Sequence, residues 1–160
     1  MTTRVGIGYD SHRFAPGGPM ILAGVAIPSS VSLVGHSDAD AIAHAVTDAL
    51  LGAAAAGDIG ALFPDTDPEN RGRDSMEMLA AAFTAIRALG YTVANVDVTV
   101  IAETPRIGPH AVLMRGNLAT TLEVRIDCVS VKGKTNEAMG WIGRGEGLAC
   151  IAVATLESGT

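Results

Sequence analysis

The sequence predicts an α+β protein in which helices cover one face of a four-stranded mixed sheet. The chain has 160 residues with 48% hydrophobic content, which suits a single domain over residues 1–160 with a substantial core. Its segments follow the order strand, helices, strand, helix, strand, strand, which is typical of α+β folds. Residues 148–156 are apolar at both alternating sets of positions. This last strand therefore needs cover on both faces, from helices and from a partner subunit.

The overall charge excludes some classes of partner. The net charge is −6 with a pI near 5.0, which argues against a general binder of nucleic acid or membrane surfaces. The chain starts without a long apolar segment, and Asp48 and Asp58 interrupt the alanine-rich region before it reaches bilayer length. We expect a cytoplasmic protein. Cys128 and Cys150 are far apart in apolar runs, which predicts buried free thiols.

The first strand is predicted over residues 4–9. Its glycines at positions 6 and 8 indicate close approach of another backbone or a ligand. Residues 14–32 read as irregular, with a short hairpin at residues 20–27.

A helix follows, and its start is predicted from Ser37 and Asp40, which have the spacing of a capping box. His44 lies on the face opposite the apolar stripe, and Asp40 and Asp48 flank it at i−4 and i+4. Either carboxylate could therefore orient the imidazole. The predicted core stripe consists of Ile42, Ala45, Val46, Ala49, Leu50 and Ala53.

Three candidate metal ligands converge on these two segments. Asp10 and His12 are two residues apart, so their side chains leave the same face if the strand stays extended. With His44 they would form a set of two histidines and one aspartate with an open fourth position, which suits a catalytic zinc ion. Each residue taken alone is more often structural: a strand terminator, a loop histidine and a solvated helix residue.

The middle of the chain is predicted as a loop, a helix and a strand. Residues 57–68 hold prolines, glycines and acids, and read either as a turn-rich connector or as a substrate loop. Asp74 and Glu77 can cap a second helix that stops at Gly90. A strand is predicted at residues 91–102. The apolar stripe assigned to the second helix is Met76, Leu79, Ala80, Phe83 and Ile86.

The last third contains a helix, two strands and two glycine-rich loops. Pro109 suits the first turn of a helix that runs to about Leu122 and turns Ala111, Met114 and Leu118 inward. A strand is predicted at residues 126–132. Neither glycine-rich loop is a dinucleotide fingerprint or a P-loop. Three cationic side chains and one hydroxyl nevertheless lie in or next to these loops, at Lys132, Lys134, Thr135 and Arg144. Such a group is typical of a phosphate site or of a solvated basic turn.

Six ordered motifs give a resemblance that spans about residues 4–156. They are GYDSH at 8–12, HSDAD at 36–40, TDALLGAA at 47–54, GDIG at 57–60, LFPDTDP at 62–68 and GRGEG at 143–147. Together they resemble the signatures of the 2-C-methyl-D-erythritol 2,4-cyclodiphosphate synthase family. The resemblance implies a homotrimer whose sheets pack around a three-fold axis, with active sites at the subunit interfaces.

The implied reaction belongs to the non-mevalonate route to isoprenoids. It converts 4-diphosphocytidyl-2-C-methyl-D-erythritol 2-phosphate into the cyclic diphosphate and CMP. The resemblance assigns Asp10, His12 and His44 as zinc ligands, and Glu137 as the ligand of a second ion, magnesium or manganese. It assigns His36 and Thr135 as the residues that stabilise the transition state.

The remaining assignments by resemblance are substrate contacts. The methylerythritol phosphate end would be held by His36, Ser37, Asp58, Ile59, Gly60, Phe63, Pro64, Asp65, Thr66 and Asp67. Asp10, Ser11 and His12 would also contact the substrate. The cytidine diphosphate end would be held by Ala102, Glu103, Thr104, Pro105, Arg106, Ile107, Gly108, Lys134, Thr135, Asn136 and Glu137, with further contacts from Trp141 and Arg144.

Two other classes of protein remain open from the sequence. A zinc hydrolase of nucleotides or sugar phosphates would use the same ligands with a metal-bound water. A trimeric binding protein would keep the glycine-rich loops but would release no CMP.

Overall fold

A five-stranded mixed sheet forms the centre of the fold in the computed structural model, which describes residues 2–158. The seven strands are β1 (Thr2–Pro16), β2 (Met20–Leu22), β3 (Val25–Ile27), β4 (Val31–Leu33), β5 (Tyr91–Ile101), β6 (Val129–Lys134) and β7 (Gly147–Ser158). The sheet order is β4-β1-β7-β5-β6, and β2 pairs with β3 as a separate hairpin. Among the strand pairs within residues 2–158, only β5 and β6 run parallel.

The prediction of a four-stranded sheet was wrong, because the sheet has a fifth strand, β4, at its edge. Residues 14–32 read as irregular, but β1 continues to Pro16, and its last residues pair with β4, as in the Phe14 and Leu33 pair. The hairpin expected at residues 20–27 is confirmed by β2 and β3.

Helices cover one face of the sheet, as expected. They are α1 (Ala41–Ala54), α2 (Ile59–Leu62), α3 (Ser75–Ala88), α4 (Ala111–Thr121) and α5 (Gly140–Gly143), with 3-10 turns at Pro68–Asn70, Gly108–His110 and Ile126–Cys128. One core joins α1, α3 and α4 to the valines of β5 and the inward residues of β7. Val96, Val98 and Val100 share one face of β5 and are all buried.

Some element boundaries and faces differ from prediction. Helix α1 begins after Asp40, whose side chain accepts from the Ala43 amide, so Ser37 is not its cap. In α3 the Asp74 cap is confirmed, but Ala80 is exposed, while Met78 and Ala82 are buried. Pro109 lies in the 3-10 turn that precedes α4 rather than in the helix, and residues 126–128 form a 3-10 turn before β6.

The contact between β1 and α1 is unusually close. A Cβ atom at Gly6 would lie 2.0 Å from the Ala49 carbonyl oxygen, and one at Gly8 would lie 1.8 Å from that of Ala45. Glycine is therefore required at both positions, as the sequence indicated. Because side chains alternate along a strand, Asp10 and His12 leave β1 on this same helix-facing side.

The opposite face of the sheet is open in the single chain. Val5, Ile7, Tyr9 and Ile151 are exposed there, and Ile7 is 70% accessible. This is the face for which the sequence predicted a partner subunit.

The cysteine prediction is confirmed in part. Both thiols are free. Cys150 is buried, and burial raises the pKa of its thiol well above the ordinary value. Cys128 is only partly buried. None of the helices within residues 2–158 is long and apolar enough to cross a membrane.

We expect Gly8→Ala to destabilise the protein by more than about 3 kcal/mol, because β1 must move away from α1 to admit the methyl group. Gly116→Ala is the matched control. A Cβ there has nothing within 4 Å in α4, so alanine should stabilise the helix by about 0.5–1 kcal/mol. Urea unfolding of both variants measures the change, and equal small effects would show that the close contact is not required.

Candidate functional site

Three metal-ligand side chains meet between β1 and α1, as predicted. The Asp10 Oδ2 atom lies 2.7 Å from His12 Nε2 and 3.1 Å from His44 Nδ1. The two ring nitrogens are 3.4 Å apart. Among the residues described, 2–158, this is the one group of three or more such side chains close enough to hold a metal ion.

A hydrogen bond to the backbone determines which ring nitrogen of His12 carries the hydrogen. Its Nδ1 lies 2.8 Å from the Val34 carbonyl oxygen, which can only accept a hydrogen bond. Nδ1 therefore carries the hydrogen, and in the neutral ring Nε2 presents a lone pair toward Asp10.

Burial and hydrogen bonding shift the pKa values of Asp10 and His12 in opposite directions. Burial alone would raise the pKa of Asp10, but its hydrogen bonds with His12 and His44 hold the pKa below the usual range. Burial would lower the pKa of His12, but the hydrogen bond and the charge of Asp10 raise it overall. A charged carboxylate is thus favoured beside the two imidazoles.

The donor set fits a divalent metal ion. Bonds of about 2.0–2.1 Å to nitrogen and oxygen in a tetrahedral zinc site place neighbouring ligand atoms roughly 3.3 Å apart. The three measured separations of 2.7, 3.1 and 3.4 Å bracket that value. Three protein ligands leave a fourth position for water or substrate, as in catalytic sites.

The prediction that Asp40 or Asp48 orients His44 was wrong. Asp40 is fully buried and accepts from the Ala23, Gly24 and Ala43 amides. Burial raises its pKa to about 6, against the opposing effect of these three bonds. Asp48 accepts from the Ile59 amide at 2.7 Å.

Two serine hydroxyls take the position expected of those carboxylates. The His44 Nε2 atom lies 2.8 Å from Ser75 Oγ and 3.0 Å from Ser37 Oγ. Ser75 was missed because it lies 31 residues away along the chain, and no local spacing links it to His44.

A cleft of about 210 Å³, here called the metal cleft, opens beside the cluster. Of its lining, the sequence predicted His12, His36, Ser37, His44, Ile59, Gly60, Phe63 and Asp65. It missed Asn70, Arg71 and Met78. Arg71 could have been predicted from the sequence, because it is a cation that follows an acidic loop.

The rest of the predicted acidic loop lies beside the metal cleft or supports it. Thr66 and Asp67 line an adjoining depression with His36 and Arg71. Asp58 caps α2 by accepting from the Ala61 amide. The Pro64 carbonyl accepts from the Asn70 side chain.

A second cleft of about 400 Å³, here called the loop cleft, lies at the ends of β5 and β6. The predicted residues along it are Ala102, Glu103, Pro105, Arg106, Ile107, Gly108, Lys134 and Thr135. The sequence did not predict Pro109 and Gly133, which also line it. Thr104, Asn136 and Glu137 are not among its lining residues.

Glu103 supports the loop that follows β6. Its Oε1 atom accepts from the Asn136 amide at 2.9 Å and from the Ala138 amide at 3.2 Å. Glu137 and Ala138 both have left-handed backbones, with φ of 52° and 57°. Such conformations cost energy in non-glycine residues, so the two bonds hold a strained loop in place.

The four donors for which the sequence left open a phosphate site or a solvated basic turn are dispersed. Lys134 and Thr135 line the loop cleft. Lys132 pairs with Asp97, and Arg144 pairs with Glu146, each at 2.7 Å. Trp141 and Ser11 line a third cleft beside His12, together with Arg13 and Glu146.

The metal cleft and the loop cleft lie at the same end of the sheet. Asp10 pairs with Cys150, Cys150 with Val100, and Val100 with Gly133, so one row crosses from β1 to β6. Three strand spacings of about 4.8 Å separate the ends of this row by roughly 14 Å. The clefts share no lining residue, and His36 and Thr135 lie in different ones.

The fold and the site together define an α+β protein with a candidate divalent-metal centre and a loop cleft at one end of its sheet. The sequence profile of the YgbB family matches residues 3–157. The chain belongs to this family.

Relatives at high identity carry one name. The 2-C-methyl-D-erythritol 2,4-cyclodiphosphate synthase of Gemmatimonas aurantiaca is 63% identical over 153 residues, covering 96% of this chain and 92% of the relative. A solved structure of a synthase of this name in its CDP-bound form has a TM-score of 0.89 and 38% identity, covering 96% of this chain and all of that one. The bifunctional IspDF of Campylobacter jejuni has a TM-score of 0.95 and 40% identity, covering 99% of this chain but 43% of that longer one.

We expect Glu103→Ala to speed amide hydrogen exchange at Asn136 and Ala138 by about tenfold or more, because both amides lose their acceptor. Glu123→Ala is the control, since Glu123 is exposed and pairs with Arg87 instead. Exchange measured by NMR would contradict the supporting role of Glu103 if both variants matched the unmodified protein at these two amides.

Proposed function

We propose that this chain catalyses the conversion of 4-diphosphocytidyl-2-C-methyl-D-erythritol 2-phosphate into 2-C-methyl-D-erythritol 2,4-cyclodiphosphate and CMP. The observation that carries the proposal is the cluster of Asp10, His12 and His44 opening into the metal cleft, in a chain 63% identical to a synthase of that name. We place this activity in a single domain over residues 1–160, in the cytoplasm.

The reaction is an intramolecular phosphoryl transfer. An oxygen of the 2-phosphate forms a bond to the β-phosphorus, and the bond from that phosphorus to the oxygen of CMP breaks. The substrate supplies its own nucleophile, so no activated serine or cysteine is required. Positioning and charge neutralisation then provide most of the rate enhancement.

The metal cleft suits the methylerythritol phosphate end. His36 and Ser37 line it and can donate hydrogen bonds to the attacking phosphate, and Arg71 adds a nearby cation. The first amides of α1 are a poor candidate for that phosphate, because Asp40 already accepts from the Ala43 amide. We assign Asp58, Pro64, Thr66 and Asp67 to the support of this end, with Ile59, Gly60, Phe63 and Asp65 in contact.

Asp10, His12 and His44 would hold a zinc ion. When bound, zinc supplies a Lewis acid that withdraws charge from a phosphate oxygen. The protein residues keep the three ligand atoms within 3.4 Å of one another, and the Val34 carbonyl keeps His12 Nε2 free to bind.

The loop cleft suits the cytidine diphosphate end. Lys134 and Thr135 offer a cation and a hydroxyl to the diphosphate. Glu137 would hold magnesium or manganese, since one carboxylate with substrate phosphates is a common set for such ions. The segment of residues 102–108 would contact the cytidine, with Asn136, Trp141 and Arg144 completing the site.

We further propose a homotrimer whose open sheet faces meet around a three-fold axis. The apolar face of Val5, Ile7, Tyr9 and Ile151 is too exposed for an isolated soluble chain and suits burial against other copies. The two clefts of one chain are separate, so a site completed between subunits would place the metal cleft of one copy beside the loop cleft of the next.

We expect Ile7→Lys to break the trimer into monomers and to lower activity at least about a hundredfold, because a charge would be buried on the shared face. The matched control is Val112→Lys. Val112 is 67% exposed on α4, compared with 70% for Ile7, but lies away from the open sheet face. Light scattering after size-exclusion chromatography measures the mass, and an unmodified chain that runs as a monomer would refute the trimer.

The product of the reaction tests the proposed activity directly. The protein is incubated with the cytidyl substrate, with and without chelator, and phosphorus NMR identifies the products. We expect CMP and a cyclic diphosphate without chelator, and neither with it. His44→Ala should lose zinc and lower turnover by more than about a hundredfold while leaving the trimer folded.

The other outcomes identify the two competing classes of protein. A linear, hydrolysed product would indicate a zinc hydrolase, and nucleotide binding without CMP release would indicate a binding protein. Normal activity of His44→Ala would overturn the metal assignment.

A further inference from the structure

We infer that Ser75, held by Asp38, is the positioning residue that fixes the imidazole of His44 for metal binding. The inference rests on the proposed metal site of Asp10, His12 and His44. Ser75 and His44 lie on different helices. Ser75 is the first residue of α3, and His44 lies in α1.

Ser75 connects a carboxylate to the ring of His44. Its Oγ atom lies 2.8 Å from His44 Nε2 and is hydrogen-bonded to Asp38 Oδ1. Asp38 is itself anchored, since Oδ2 accepts from the Ser75 amide and Oδ1 from the Asp40 amide, each at 3.1 Å. The serine, the carboxylate and the starts of both helices thus form one bonded unit.

The direction of each hydrogen bond follows from the donors available. The Asp38 carboxylate can only accept, and its Oδ1 atom takes the Ser75 hydroxyl hydrogen in addition to the Asp40 amide. The lone pairs of Ser75 Oγ then face His44 and accept from Nε2–H. The ring is left with its lone pair on Nδ1, which is the atom that faces Asp10 Oδ2 at 3.1 Å and His12 Nε2 at 3.4 Å.

Ser37 also reaches His44, but its surroundings suit another role. Ser37 Oγ lies 3.0 Å from Nε2, accepts from the Ala39 amide and lines the metal cleft. Ser75 is fully buried and is not among the cleft's lining residues. Ser75 can therefore hold the ring permanently, while Ser37 remains free to exchange its partner for a substrate phosphate.

The backbone keeps Ser75 in place. The Gly72 amide donates to the His36 carbonyl at 2.8 Å, and the Asp38 amide donates to the Arg73 carbonyl at 3.3 Å. The segment before α3 is thus joined to the segment before α1 at two residues that shortly precede the serine. His44 is oriented by this junction rather than by the helix neighbours at i−4 and i+4.

The test compares zinc binding in serine variants of the full chain. Ser75→Ala removes the acceptor, and Ser75→Cys replaces it with a poor one of similar size. Both should weaken zinc binding by about 10-fold to 100-fold, the usual effect of losing such a partner. Ser75→Thr keeps the hydroxyl and should bind zinc within about threefold of the unmodified protein.

Thr47→Val is the matched control. It removes another fully buried hydroxyl near His44, but one that bonds to the Ala43 carbonyl of its own helix. Competition with a chelator measures zinc affinity. The visible spectrum of the cobalt-substituted protein reports ligand geometry. NMR of the zinc form reports the Nε2–H resonance of His44, which should be lost through faster exchange with water only in the alanine and cysteine variants.

The outcomes separate this inference from the proposed function. Circular dichroism without metal first shows whether each variant folds, and Ser75→Cys serves if Ser75→Ala does not. If His44→Ala retains zinc, the metal site itself is wrong, and the inference fails with it. If His44→Ala loses zinc while both serine variants keep the unmodified affinity, cobalt spectrum and tautomer, the positioning role alone is overturned.

Discussion

The close contact between β1 and α1 is the constraint on which the site depends. Gly6 and Gly8 let the helix backbone approach the strand until carbonyl oxygens occupy the space of absent Cβ atoms. The strand alternation then presents Asp10 and His12 on that same side, where His44 reaches them. A side chain at either glycine would separate the strand that holds two ligands from the helix that holds the third.

Strand β1 and helix α1 hold the candidate metal ligands, whereas loops and short helical turns line most of the rest of the two clefts. This division suits a phosphoryl transfer, in which ligand atoms must be fixed to a fraction of an ångström while a flexible substrate is admitted. The loop after β6 is an intermediate case. Its left-handed residues Glu137 and Ala138 are strained, and Glu103 holds them from the neighbouring segment.

The errors of the sequence prediction share one physical origin. Asp40 and Asp48 were the obvious partners of His44 because residues four apart are neighbours on a helix. Their carboxylates instead accept backbone amides from the β2–β3 hairpin and from α2, segments that only the fold brings close. A buried amide without an acceptor costs free energy, so the two carboxylates bond to amides. Serine hydroxyls can replace them as hydrogen-bond partners of His44. The missed edge strand β4 has a similar cause, since its pairing with the end of β1 leaves no local pattern.

The sequence by itself determined the α+β class, the inward faces of α1 and β5, the glycines of β1 and the three metal-ligand residues. These depend on periodicity and on residue type, which are local properties of the chain. The tertiary structure decided that the three ligand atoms lie within 3.4 Å of one another, that Ser37 and Ser75 rather than aspartates contact His44, and that the two clefts are separate. Apart from the pairs Asp10 with His12 and Ser37 with His44, those contacts join residues more than 30 positions apart. Their partners are selected by competition for buried hydrogen bonds that no local spacing records.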